Sequence, residues 1–168
     1  MKIIVDCQES EIRFQGQTYP CRVGRKGWAS PEAAHEGDEK TPLGSYHIRF
    51  GFYRSDRLSG PPPSSLVFWP IAPDDGWCDD PEHPAYNRFI RRPLAASSEA
   101  LWRKDHVYDI ILVLDYNDSP AVKGKGSAIF IHICREDDKR TLGCIALTPE
   151  VMIKLVRSIE PGSVIQII

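Results

Sequence analysis

"IFIHICREDDKRTLGCIAL", residues 129–147, decides how this chain is read. Isoleucines at 129, 131 and 133 alternate with Phe130, His132 and Cys134. Successive side chains of a strand point to opposite faces, so Ile129, Ile131 and Ile133 share one face and Ala128, Phe130, His132 and Cys134 the other. The isoleucine face must be core, which turns His132 away from it and toward a groove. Further on, Thr141, Gly143 and Cys144 stand before a second apolar run, Ile145 to Leu147. If the two strands pair, an imidazole and a thiol can meet. The imidazole then takes the thiol proton or stabilises the thiolate, which is the nucleophilic form. Gly143 lets the backbone turn and a substrate carbonyl approach, and the amides of Gly143 and Cys144 are candidate oxyanion donors.

Blander readings of the same residues exist. Free cysteine is among the most buried residue types, so a core thiol is the ordinary role for a cysteine. A strand histidine is ordinarily a hydrogen-bonded structural residue. A metal site at His132, Cys134 and Cys144 lacks a fourth ligand at any usual spacing. No metal and no cofactor are expected.

Outward from this stretch, the apolar run "VYDIILVLDY" (107–116) predicts a central strand, and "SYHIRF" (45–50) and "GSVIQII" (162–168) predict two more. "EIRFQGQTYPCRVG" alternates around Gln15-Gly16 as a hairpin does. One helix is predicted over 149–159. Thr148 is its N-cap, Pro149 its first residue, and Val151, Ile153, Leu155, Val156 and Ile159 its apolar face. "SSEALWRK" (97–104) reads as one or two helical turns. Residues 24–43 read as a loop. The stretch from about Tyr53 to Pro93 reads as irregular, longer than a connection needs, and such segments are usually functional. The expectation is a mainly β fold with one principal helix, as a single domain over 1–168.

Composition narrows the function. A formal net charge of -2 offers no basic footprint for nucleic acid. Five cysteines, an odd number without any CxxC pair, argue against a disulfide framework or a zinc ribbon and fit a reducing compartment. No run approaches a membrane span, and the apolar part of "MKIIVDCQES" is too short for a signal segment. The expected location is cytoplasmic, or periplasmic if a leader has been trimmed. The sequence carries no signal of oligomeric state.

The stretch "HICREDDKRTLGCIAL" resembles the signature of the L,D-transpeptidase catalytic domain, the YkuD-like family: a His, a gap, then Ser/Thr-x-Gly-Cys. Here it falls on His132, Thr141, Gly143 and Cys144, with a gap that is short for the family. "HEGDEKTPLGSYHI" is similar to the family's Glu-Gly-Asp-x-x-Thr-Pro-x-Gly segment, and "GWCDDPEHPAYNR", "YDIILVLDYN" and "GKGSAIFIH" resemble one of its branches. The resemblance runs from about Gly24 to Ile168. Ala146 stands where most members carry an arginine, a departure that the branch shares and that leaves open how substrate carboxylates are held.

The resemblance implies a sandwich-like or barrel-like mixed sheet and a peptidoglycan stem-peptide (muropeptide) substrate. The bond attacked joins the L-centre of a diamino acid to a terminal D-alanine. Cys144 is then the thiol nucleophile and His132 its base, with Gly143 beside them. Thr141, Trp77, Tyr86, Asn87 and Arg54 are expected on the substrate side, with Arg88, Arg91 and Arg92 as further cations. Glu36, Asp38 and Thr41 are expected to be structural. Three functions compete: an L,D-carboxypeptidase of muropeptide recycling, an L,D-transpeptidase that cross-links, and a non-catalytic peptidoglycan-binding module. The absent export signal favours the first.

Overall fold

The computed structural model describes residues 1–134 and 140–168. In chain order the strands are β1 (Lys2–Asp6), β2 (Glu11–Phe14), β3 (Gln17–Pro20), β4 (Trp28–Ala29), β5 (Thr41–Pro42), β6 (Gly44–Tyr53), β7 (Phe68–Pro70) and β8 (Asp75–Cys78). There follow β9 (Phe89–Arg91), β10 (Ser98–Ala100), β11 (Ile110–Leu114), β12 (Phe130–Ile133), β13 (Ile145–Leu147), the helix α1 (Pro149–Ser158) and β14 (Val164–Ile167). The architecture is mainly β with one principal helix.

A nine-stranded mixed sheet runs β13-β12-β11-β6-β14-β1-β2-β3, with β7 added beside β6. It nearly closes on itself. The residues just after β3 return to its far end, where Arg22 and Ala146 exchange two backbone hydrogen bonds of 2.9 Å each. A three-stranded sheet, β10-β8-β9, packs over one face. The hairpin at Gln15-Gly16 forms as the alternation predicts, both turn residues having positive φ (49° and 72°).

Strand periodicity sorts the core into two layers. Ile110, Leu112, Leu114, Ile131 and Ile133 point into the larger one, which α1 seals with Val151, Met152, Leu155 and Val156. Ile111, Val113 and Phe130 point the other way, into a smaller cluster with Trp77, Leu101 and Tyr108. Phe130 is clamped edge-on by Trp77 at 5.2 Å and Tyr108 at 6.2 Å between ring centroids. The helix starts where its cap predicts: the Thr148 hydroxyl accepts from the Val151 amide at 3.4 Å.

Two expectations change. Residues 97–104 contain no helical turn, because Ser98–Ala100 pairs antiparallel with β8 and Leu101 is fully buried beneath it. The helix-forming residues there are overruled by sheet pairing and burial, which outweigh a few tenths of a kcal/mol of propensity per residue. The stretch after Tyr53 is not wholly irregular, since it supplies β7, β8 and β9.

Candidate active site

Strands β12 and β13 lie side by side and parallel, with His132 opposite Ala146 and Ile131 opposite Ile145. This register brings Cys144 alongside Phe130, one step before β13 begins. The Phe130 amide donates to Cys144 Sγ at 3.4 Å, and the thiol donates to the Ala128 carbonyl at 3.1 Å. Neighbouring residues of parallel strands share a face, so Cys144, Phe130 and His132 all project on the side away from the isoleucine layer. Cys144 and His132 line one cavity of about 640 Å³.

His132 is buried, with its ring edge-on to Tyr108 at 5.4 Å. Its Nδ1 lies 2.9 Å from the Ile133 carbonyl. A carbonyl only accepts, so the ring proton sits on Nδ1 and Nε2 carries the lone pair. Burial drives the imidazole pKa down to about 4, against the opposing effect of that hydrogen bond, and Arg103 lowers it further. Burial pushes the Cys144 thiol up to about 12, with help from the charge of Glu99 and against the Phe130 amide. At neutral pH the resting pair is therefore an uncharged thiol and a neutral imidazole.

A stability prediction follows from His132. Its folded pKa lies below the ordinary 6.5, so the unfolded chain binds more protons between about 4 and 6.5. Its contribution is fully present above 6.5 and is lost as pH falls through that window, roughly 3 kcal/mol in all. Thermal melts from pH 7 to pH 4 should show a steeper loss for the native protein than for His132→Asn. Parallel curves would contradict it.

The turn before Cys144 is held from within. The Thr141 hydroxyl accepts from the Gly143 amide at 3.1 Å and donates to the Cys144 carbonyl at 2.5 Å. Gly143 has φ +136°, and a Cβ there would meet the Lys40 carbonyl oxygen at 2.9 Å. Thr41, fully buried, ties this turn to the loop after β3 by donating to the Gly143 carbonyl at 2.9 Å and accepting from the Gly24 amide at 2.8 Å. The Gly143 amide, a candidate oxyanion donor by sequence, is thus engaged by Thr141. Thr141 borders the cavity, but its hydroxyl serves the turn.

Four other residues expected at the substrate do not line the cavity. Trp77 is buried against Phe130 and donates its indole N–H to Asn87 Oδ1 at 2.9 Å. Asn87 also accepts from the Ala128 amide at 3.1 Å and donates to the carbonyls of Tyr116 and Asn117 at 3.0 and 2.7 Å. Tyr86 donates to Glu36 at 2.5 Å and accepts from the Gly126 amide at 2.9 Å. Arg54 is 3% exposed, held bidentate by Asp56, bonded to the Arg103 carbonyl and stacked 3.7 Å from the Trp102 ring. Arg88 pairs with Asp118, and Arg91 with Asp74 and Asp75. Trp77 and Asn87, through Phe130 and Ala128, form a wall that backs the thiol, while Arg88 and Arg91 lie in exposed ion pairs.

The cavity's own charges come from elsewhere: Arg22, Arg25, Arg103 and Arg140 on the cationic side, and Glu36, Glu39, Asp79 and Glu99 on the anionic. Sequence reading passed over most of these. Arg22 carries the one available signal, since "YPCRVG" alternates apolar and polar residues and so turns Arg22 away from the side that buries Cys21 and Val23. Which other strand it meets is a matter of closure. Among the described residues, no group of three or more His, Cys, Asp or Glu side chains is arranged to hold a metal ion.

The family profile of the L,D-transpeptidase catalytic domain, YkuD, matches residues 2–167. Among solved structures the chain is similar to Bd1075 of Bdellovibrio bacteriovorus, 17% identical over 99% of this chain and 46% of that one, TM-score 0.49. It is also similar to Pgp2, the helical cell shape determining protein of Campylobacter jejuni, 15% identical over 99% of this chain and 46% of that one, TM-score 0.46. The chain thus spans about half the length of each. No protein of curated function matches it. With the profile spanning both strands of the thiol–imidazole pair and every element of the nearly closed sheet, this chain belongs to the L,D-transpeptidase catalytic domain family.

Proposed function

We propose that the protein is a cysteine-dependent L,D-carboxypeptidase that removes the terminal D-alanine from peptidoglycan tetrapeptides in muropeptide recycling, in the cytoplasm. The observation that carries this reading is Cys144 and the lone-pair nitrogen of His132 on one face of two paired strands, bordering one cavity. Because both groups are neutral at rest, the proton moves when substrate is present. His132 Nε2 takes the Cys144 proton as Sγ attacks the carbonyl carbon at the L-centre. The Cys144 amide is left as the backbone donor to the oxyanion. The C–N bond to D-alanine breaks, and the imidazolium returns its proton to the departing amine. Water, deprotonated by the same imidazole, then attacks the thioester, releasing tripeptide and restoring the thiol.

Substrate carboxylates fall to a cation other than the one most relatives carry after the cysteine. Arg22 flanks Ala146 across the closing bridge and borders the cavity, so it offers a guanidinium beside the position where that arginine is missing. Arg22→Ala should raise KM about tenfold with kcat little changed, while Arg54→Lys leaves KM unaltered. An unchanged KM in the first variant would remove Arg22 from the site.

The deciding experiment is incubation of the purified protein with a tetrapeptide, with and without an excess of amine acceptor, read by mass spectrometry. Tripeptide and free D-alanine as main products support hydrolysis. Predominant cross-linked dimer at physiological acceptor levels would replace it with the transpeptidase reading, and no turnover at all would leave the binding-module reading.

A further inference from the structure

We propose that Glu99 is a further catalytic residue, whose carboxylate Oε2 holds the water that hydrolyses the acyl-enzyme on Cys144. This deepens the carboxypeptidase reading and rests on it for the step concerned.

Sheet pairing aims Glu99 at the thiol. In the antiparallel pair of β10 and β8, Glu99 stands opposite Trp77, and opposed residues share a face. Trp77 packs edge-on against Phe130, whose amide donates to Cys144 Sγ. Tyr108 joins the two sides of this corner. Its ring lies edge-on to both His132 and Phe130, and its hydroxyl donates to Glu99 Oε1. Glu99, Tyr108, His132 and Cys144 all border the one cavity. Glu99 is only partly buried, and among the described residues that is its one side-chain hydrogen bond, so Oε2 is left to accept another.

Electrostatics singles Glu99 out among the carboxylates of the cavity. Its charge acts on the Cys144 thiol, and both groups act on the Tyr108 hydroxyl. Glu36 is engaged by Tyr86, Glu39 by Arg25 and Lys26, and Asp79 Oδ1 is closed off inside the protein. Burial makes the Glu99 carboxyl harder to ionise, with Asp79 and Glu36 adding to this against the Tyr108 hydrogen bond and Arg103. A carboxylate in that setting is more basic than an exposed one and a stronger acceptor for water.

In the hydrolytic step, His132 Nε2 takes one proton of the water while the other O–H donates to Glu99 Oε2. The water oxygen attacks the thioester carbon, the C–S bond breaks, and the imidazolium returns its proton to sulfur. Glu99 keeps its charge throughout. In the first half of the reaction that charge opposes the thiolate, so Glu99 serves hydrolysis of the acyl-enzyme and not its formation.

The test loads Cys144 with a tripeptidyl thioester, an acyl donor that needs no D-alanine bond to be cleaved, and follows the acyl-enzyme by intact-protein mass. A tetrapeptide run in parallel reads D-alanine release. In Glu99→Gln the acyl-enzyme should persist about 100-fold longer than in the native protein, while acylation is as fast or faster. Tyr108→Phe keeps the ring against His132 but releases Oε1, so it should prolong the acyl-enzyme to a smaller extent, and it carries the comparison if Glu99→Gln does not fold. Asp74→Asn should change nothing. Equal acyl-enzyme lifetimes in the native protein and the variants overturn the proposal, and the carboxypeptidase reading survives if D-alanine is still released. Acylation and hydrolysis slowed by the same factor also overturn it, because that marks a structural role. Thioester hydrolysis that depends on Glu99 without D-alanine release from the tetrapeptide upholds the water site and sinks the carboxypeptidase reading. A native protein that the thioester does not acylate overturns both.

Discussion

Cys144→Ala should lower turnover of a tetrapeptide by about four orders of magnitude, His132→Ala by nearly as much, and the double variant by no more than the worse single one. The thiol supplies the bond-forming atom, and without the imidazole its proton has nowhere to go: burial holds Sγ up to about 12, far above neutral pH. Two parts of one proton transfer do not add. Thermal melting should separate this from misfolding, since Cys144→Ala removes only the sulfur atom and with it little packing. Residual activity above a tenth of native in either single variant would dismantle the assignment. Additive losses would mean that the two residues act independently.

Asn87→Ala should destabilise the fold by about 3–5 kcal/mol, the largest stability effect expected of any polar side chain here. Asn87 is 4% exposed and sits at φ +56°, a backbone region that asparagine tolerates better than alanine. Its amide makes four hydrogen bonds, to Trp77, Ala128, Tyr116 and Asn117. Removing it strands buried donors and acceptors on three segments at once. One of them is Ala128, itself at φ +52°, whose carbonyl takes the Cys144 S–H. Chemical denaturation should therefore show a lower midpoint, and alkylation of Cys144 should quicken as its enclosure loosens. A loss below about 1 kcal/mol would show that the wall stands without Asn87.

Asn87 also marks where sequence reading stops. "AYNR" gives no hint that one amide spans three segments, because its partners lie 10 to 41 residues away. Trp77 and Tyr86 likewise meet partners 10 and 50 residues along the chain. Aromatic and cationic side chains in a long connection look like a substrate surface, yet here their polar ends find partners inside the protein. Arg54 is the clearest case: a buried guanidinium needs its charge matched, and Asp56, two residues on, is placed to match it.

What the sequence determined by itself is periodic or local. The alternation of Ile129, Ile131 and Ile133 with Phe130 and His132 settled which face the imidazole takes, because side-chain direction in a strand follows from backbone geometry alone. Thr148-Pro149 settled where the helix begins, since capping involves only a few neighbouring residues. Tertiary structure decided everything that depends on which strands meet. The parallel register of β12 and β13 puts Cys144 beside Phe130, closure through Arg22 and Ala146 brings an N-terminal arginine to the cavity, and β8 with β10 brings Asp79 and Glu99 to it. Those pairings are fixed by burial and hydrogen bonds summed over the whole chain, so no single stretch of residues contains them.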